Sequence, residues 1–162
     1  MPVKVFFAGN PLAADDGIGP YLYRELQGNS TLKGAVLEEI GVIGFDMISY
    51  INQDDRIIIV DALRISPSEE PDGQDDANIG QVRILKEKEL HPELSLVSQH
   101  DFGIEETARV IRMYYPNLPQ IAIIGIAVRD TQPFSDRLSS VMKKKIGQVK
   151  KDVIDAIQRL SR

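Results

Sequence analysis

Asp15 and Asp16 stand side by side just after the first apolar run of the chain. Asp61 closes another apolar run, and His100 lies a few residues ahead of a helical pattern that starts near Gly103. Two or three carboxylates and an imidazole form a donor set suited to a divalent metal of borderline softness. Each residue also has a plainer reading. Asp is among the preferred helix caps, so Asp15 or Asp16 could simply open the following helix. Asp61 could be an ordinary polar residue at a strand end, and His100 an exposed loop histidine. His91, which precedes Pro92, is read as structural.

Other chemistries are excluded by what is missing. The chain has no cysteine, which removes disulfides, thiolate metal sites and a cysteine nucleophile. Gly9-Asn10-Pro11 follows the first strand in place of a G-x-G-x-x-G fingerprint. There is no P-loop, no H-E-x-x-H helix, no G-x-S-x-G elbow and no Asp-Thr-Gly or Asp-Ser-Gly of the aspartic proteases. For a hydrolase, water activated at a metal is the route left open.

The elements that must position these groups alternate. Val3–Ala8, residues 35–40, 56–61 and 121–128 read as strands rich in β-prone apolar residues, and 81–85 as a strand nearer an edge. A helix carries Ile18, Tyr21, Leu22 and Leu26 and stops at Gly28-Asn29, and a short one covers 45–51. Another carries Ile104, Ala108, Ile111 and Tyr115 up to Pro116. From Ser135 onward, Leu138, Met142, Ile146, Val149, Val153, Ile157 and Leu160 trace the stripe of a long C-terminal helix. This order predicts a mostly parallel sheet with helices on both faces, and ligands bind such sheets outside the carboxyl ends of the strands.

With 162 residues and no internal repeat, the whole chain, 1–162, is read as one domain. Residues 66–79 are acidic and rich in Pro and Gly, and are expected to form a mobile surface loop with nothing to bury. A net charge of −5 gives no general basic field for nucleic acid. The run of Lys143, Lys144, Lys145, Lys150 and Lys151 is read as a solvated helix face. No segment has the length of a signal peptide or membrane span, so a cytoplasmic protein without membrane contact is expected.

Gly9-Asn10-Pro11-Leu12-Ala13-Ala14-Asp15-Asp16-Gly17-Ile18-Gly19 resembles the opening motif of the hydrogenase maturation endopeptidases. Val60-Asp61-Ala62 resembles their second motif, and Ser98-Gln99-His100-Asp101-Phe102-Gly103 their third. The resemblance implies a three-layer α/β/α sandwich around a twisted, mostly parallel five-stranded sheet. It implies removal of a C-terminal peptide from the large-subunit precursor of a nickel–iron hydrogenase after nickel insertion. Asp16, Asp61 and His100 would contact the nickel presented by that substrate, or another divalent metal in its place. Asp15 would then orient Asp16, a role preferred over that of a base. The resemblance also suggests a monomer.

This chain departs from the family pattern in two places. Glu39-Ile40-Gly41-Val42 replaces the usual Asp-Gly-Gly-Thr, with Glu39 as the remaining acid. The stretch after Asp61 lacks the usual Pro-Gly. Two rival readings use the same residues. One is a phosphoacceptor receiver-like domain, although Ile126-Ala127-Val128-Arg129-Asp130 lacks the lysine it would need. The other is a non-catalytic nickel-binding assembly chaperone.

Overall fold

The alternation of side chains along three strands decides the layering. In β1 (Val3–Ala8), Val5 and Phe7 join one apolar cluster while Phe6 and Ala8 join another. The same split occurs in β3 (Arg56–Arg64), with Ile58, Val60 and Ala62 on one side and Ile57 and Ile59 on the other. β5 (Gln120–Val128) repeats it. Strands apolar on both faces require cover on both faces. The computed structural model, which describes residues 2–42, 45–64, 75–89 and 104–162, shows that cover.

Five strands form one sheet in the order β2-β1-β3-β5-β4, with β2 spanning Ala35–Gly41 and β4 Val82–Lys86. All neighbours are parallel except β4, which runs antiparallel to β5 at one edge. Helices α1 (Ile18–Leu26) and α3 (Ser140–Ser161) cover one face. Helix α2 (Ile104–Tyr114) and the 3-10 helix Phe45–Tyr50 cover the other. The predicted three-layer α/β/α sandwich is therefore the fold.

Two boundaries and the acidic segment differ from the sequence reading. β3 does not stop at Asp61; it runs on to Arg64 because β5 keeps pairing with it, through Asp61↔Gly125 to Arg64↔Val128. Helix α3 starts at Ser140 and not at Ser135. Ser139 caps it by accepting the Met142 N–H at 3.1 Å, while Ser135 pairs with the first loop. The acidic segment also has something to bury. Residues 65–74 lie outside the described part, but Ile79 is 5% exposed and packs into the α3 face of the core. Burying such a side chain contributes roughly 1.5–3 kcal/mol. Lys145 adds hydrogen bonds from Nζ to the carbonyls of Asp76 and Ile79.

Candidate active site

The strand order places a switch point between β1 and β3: from β1 the chain goes outward to β2, then returns past β1 to β3. Crevices at such points are where open parallel sheets bind ligands. Here the crevice has a specific shape. The β1–β3 ladder ends at Phe7↔Val60, one residue short of Asp61, whereas the β3–β5 ladder continues. On the β1 side the gap is filled by the 3-10 turn Ala14–Gly17, which packs against β3.

Two glycines make that turn fit. A Cβ on Gly9, at φ +146°, would lie 2.2 Å from the Asp16 carbonyl oxygen. One on Gly19 would lie 1.9 Å from the carbonyl oxygen of Ala8, where α1 crosses the end of β1. Between them, Asn10 folds the loop back: its Oδ1 accepts the Leu12 N–H at 2.9 Å, and its carbonyl accepts the Ala13 N–H. The Asn10 N–H donates to Asp16 Oδ2 at 3.2 Å.

In this crevice Asp16 lies close enough to Asp61 for its charge to act on the Asp61 carboxyl. Asp61 is 1% exposed. Its Oδ1 accepts the N–H of Ala62 at 2.8 Å, while Oδ2 is buried without a hydrogen-bond partner. Burial pushes its carboxyl up to about 7; the Ala62 N–H opposes the shift and the negative charge of Asp16 adds to it. A buried carboxylate oxygen with no partner, facing a second carboxylate, is a site short of positive charge. Oxygen donors of this kind suit a divalent cation. Among the described residues no three His, Cys, Asp or Glu side chains converge as a metal-holding group. The third expected ligand, His100, lies outside the described residues, as does His91.

Asp15 and Asp16 do not cap α1, contrary to the plainer reading of the sequence. The cap position is Gly17 and no side chain bonds there; Asp15 is engaged by Ser139 and Asp16 by the Asn10 N–H instead. Asp15, fully buried, accepts the Ser139 N–H at 2.7 Å and the Ser139 hydroxyl at 2.6 Å. Its own N–H donates to the Asp130 carbonyl. Burial raises its carboxyl above the usual value, against the two Ser139 hydrogen bonds, and Asp130 adds to the rise. Asp15 thus ties the turn that carries Asp16 to the cap of α3. Glu39 is exposed on β2, in register with Phe7. Ser139 escaped the functional reading of the sequence. Its cap role is legible as a serine ahead of an apolar periodic run, but the bond to Asp15 crosses 124 positions and has no local signal.

The rim is built from two paired loops. Ala14 N–H donates to the Ser135 carbonyl and Ser135 N–H to the Leu12 carbonyl, and Leu12 and Phe134 stand 58% and 98% exposed. Phe134 holds a left-handed backbone at φ 62°.

The profile of a family described as hydrogenase maturation protease matches residues 20–156. Several solved structures share the fold. The NiFe hydrogenase maturation protease HybD from Thermococcus kodakarensis is 23% identical, with 100% of each chain covered and a TM-score of 0.71. The hydrogenase maturating endopeptidase HybD from E. coli is 21% identical over 98% of this chain and 93% of its own, also at a TM-score of 0.71. HycI from Thermococcus kodakarensis is 19% identical over 96% and 92%, at 0.68. At these identities the structural likeness establishes the fold. No curated protein sequence matches this chain closely enough to stand as a relative. The profile match spans most of the chain, from α1 into α3, and on that ground this protein belongs to the hydrogenase maturation protease family and is an endopeptidase.

Proposed function

We propose that this endopeptidase removes the C-terminal peptide from the large-subunit precursor of a nickel–iron hydrogenase once nickel is in place, recognising that nickel through Asp16, Asp61 and His100. The observation that carries the reading is the partnerless, buried Oδ2 of Asp61 beside the Asp16 carboxylate at the switch point. Both acids sit where a cation brought by the substrate would relieve their repulsion. Another divalent metal could take the same position, since the donors are not selective by type. When bound, the metal supplies a Lewis acid that polarises a carbonyl or lowers the pKa of a water. The chain's own part is to hold the two carboxylates at fixed positions on a strand and a glycine-shaped turn. Asp15 supports the turn through Ser139 and in that way holds Asp16 in place. Glu39, exposed near the carboxyl end of β2, is available to the substrate as a further acid.

A phosphoacceptor role needs an aspartate open to a phosphoryl donor, whereas Asp61 is 1% exposed. The chaperone alternative is separated by a direct assay. Purified protein is mixed with nickel-loaded or nickel-free precursor, and the large subunit is weighed by mass spectrometry. Loss of a C-terminal fragment from the loaded precursor alone is expected. Asp16→Asn, Asp61→Asn and His100→Ala are each expected to lower the rate at least about 100-fold, the scale of removing a group that stabilises developing charge. Normal cutting by any of the three would refute its assignment. The same reading makes the protein a cytoplasmic monomer working without membrane or nucleic acid. No described helix is long and apolar enough to cross a membrane.

A further inference from the structure

Beside the turn that carries Asp16, between α1 and the segment leading into α3, runs a groove of about 410 Å³. Pro11, Ala14 and Gly17 form the wall nearest the candidate site. Tyr21, Leu138 and Ile146 give it apolar surface. Around these stand Arg24, Arg137 and Lys143, all exposed, with Asp136 as the one acidic lining residue. Arg137 and Asp136 approach to 4.0 Å, but both are at least 80% exposed, so the pair holds little of the arginine's charge. Among the described residues no acidic side chain pairs with Arg24 or Lys143. In a chain of net charge −5, three cations against one carboxylate at a half-apolar groove is a local reversal of sign. Its complement is an anionic ligand with apolar surface.

We propose that this groove takes the free C-terminus of the precursor, its α-carboxylate held among Arg24, Arg137 and Lys143 and its last apolar side chain on Tyr21, Leu138 and Ile146. The proposal rests on the endopeptidase reading and adds the subsite that receives the departing peptide. A terminal carboxylate is the one charge that every C-terminal extension carries, whatever its sequence. Position agrees with this occupant. Ala14 and Gly17, which line the groove, flank Asp15 and Asp16 in one four-residue 3-10 turn, so the groove and the candidate site lie on either side of the same short piece of backbone. A peptide cut at Asp16 and Asp61 can therefore pass from the site over this turn and lay its end in the groove. The groove would measure that the extension is present, and it would be left without an occupant once the peptide departs.

The test uses the full chain and a fluorescein-labelled synthetic peptide with the precursor's last residues, made as free acid and as C-terminal amide. Anisotropy should show the acid binding wild type about tenfold more tightly than the amide, the scale of one charged hydrogen bond. Raising the salt should shrink that preference. Arg137→Glu with Lys143→Glu should abolish it and raise KM for the nickel-loaded precursor about tenfold while kcat holds. The control pair Lys144→Glu with Lys151→Glu, on exposed positions of the same helix outside the groove, should leave both readouts as in wild type. Equal binding of acid and amide by wild type, or equal loss in the control pair, overturns the groove assignment. Failure of wild type to cut any nickel-loaded precursor instead overturns the endopeptidase reading, whatever the peptides do.

Discussion

Asp61 has one oxygen on the Ala62 N–H and the other on nothing, so its protonation is coupled directly to folding. Its carboxyl rises from 3.8 to about 7. Between those values the unfolded chain has released the proton and the folded chain keeps it. Stability from this group is thus complete below about 3.8 and is lost as pH rises through about 7. Asp61→Asn removes the effect. The variant should melt several degrees above wild type at pH 7.5, and the gap should close as the pH falls toward 4. Thermal melts at both pH values without added metal check this; a gap that does not change with pH would contradict it. At this scale the sequence was partly legible. Residue type and order put Asp16 and Asp61 at the carboxyl ends of neighbouring strands, while the expectation for His100 falls outside the described residues. Burial made Asp61 unusual, and burial depends on β3 continuing three residues further than its apolar run suggested.

Ser139 serves two elements with one hydroxyl, capping α3 through the Met142 N–H and donating to Asp15 Oδ2. Ser139→Ala loses a cap worth about 1 kcal/mol. It also leaves a buried carboxylate oxygen without its donor, a further 1–3 kcal/mol or so. Denaturant unfolding should therefore show a loss of about 2–4 kcal/mol, beyond what a cap alone explains. Ser139→Thr keeps the hydroxyl and should recover most of it. Gly19→Ala meets the Ala8 carbonyl with no room to yield, since both atoms belong to packed backbone. It should cost roughly 3 kcal/mol or more, near the upper end for overpacking. Strand and helix identities were readable from period and residue type. The starts of α1 and α3 were not, because contacts between distant loops set them: Ala13 bridges Ser135, and Asp15 reaches Ser139.

For the whole molecule, alternation of apolar strands and amphipathic helices was enough to predict three layers, since strands apolar on both faces need helices on both. The acidic segment resisted because its composition hides a single anchor. Ile79 lies in the same core cluster as Val149, and Lys145 Nζ donates to the carbonyls of Asp76 and Ile79. Ile79→Ala should cost about 2–5 kcal/mol and Lys145→Ala less. Both should speed limited proteolysis within residues 66–80, read by mass spectrometry. An unchanged cleavage rate in the Ile79 variant would mean that the anchor does not hold the segment.

The unequal ladders around Asp61 have a mechanical consequence. One flank of the carboxylate is clamped by β5 for three residues beyond it, whereas the other borders a four-residue turn that lies outside the sheet ladder. If the two aspartates hold the metal as proposed, an ion slightly larger or smaller than the preferred one would be accommodated by displacement of the turn more readily than of the paired strand. On the proposed function, discrimination by ionic radius would then belong to the first loop, and substitutions at Asn10 or Ser139 would retune it without touching either aspartate.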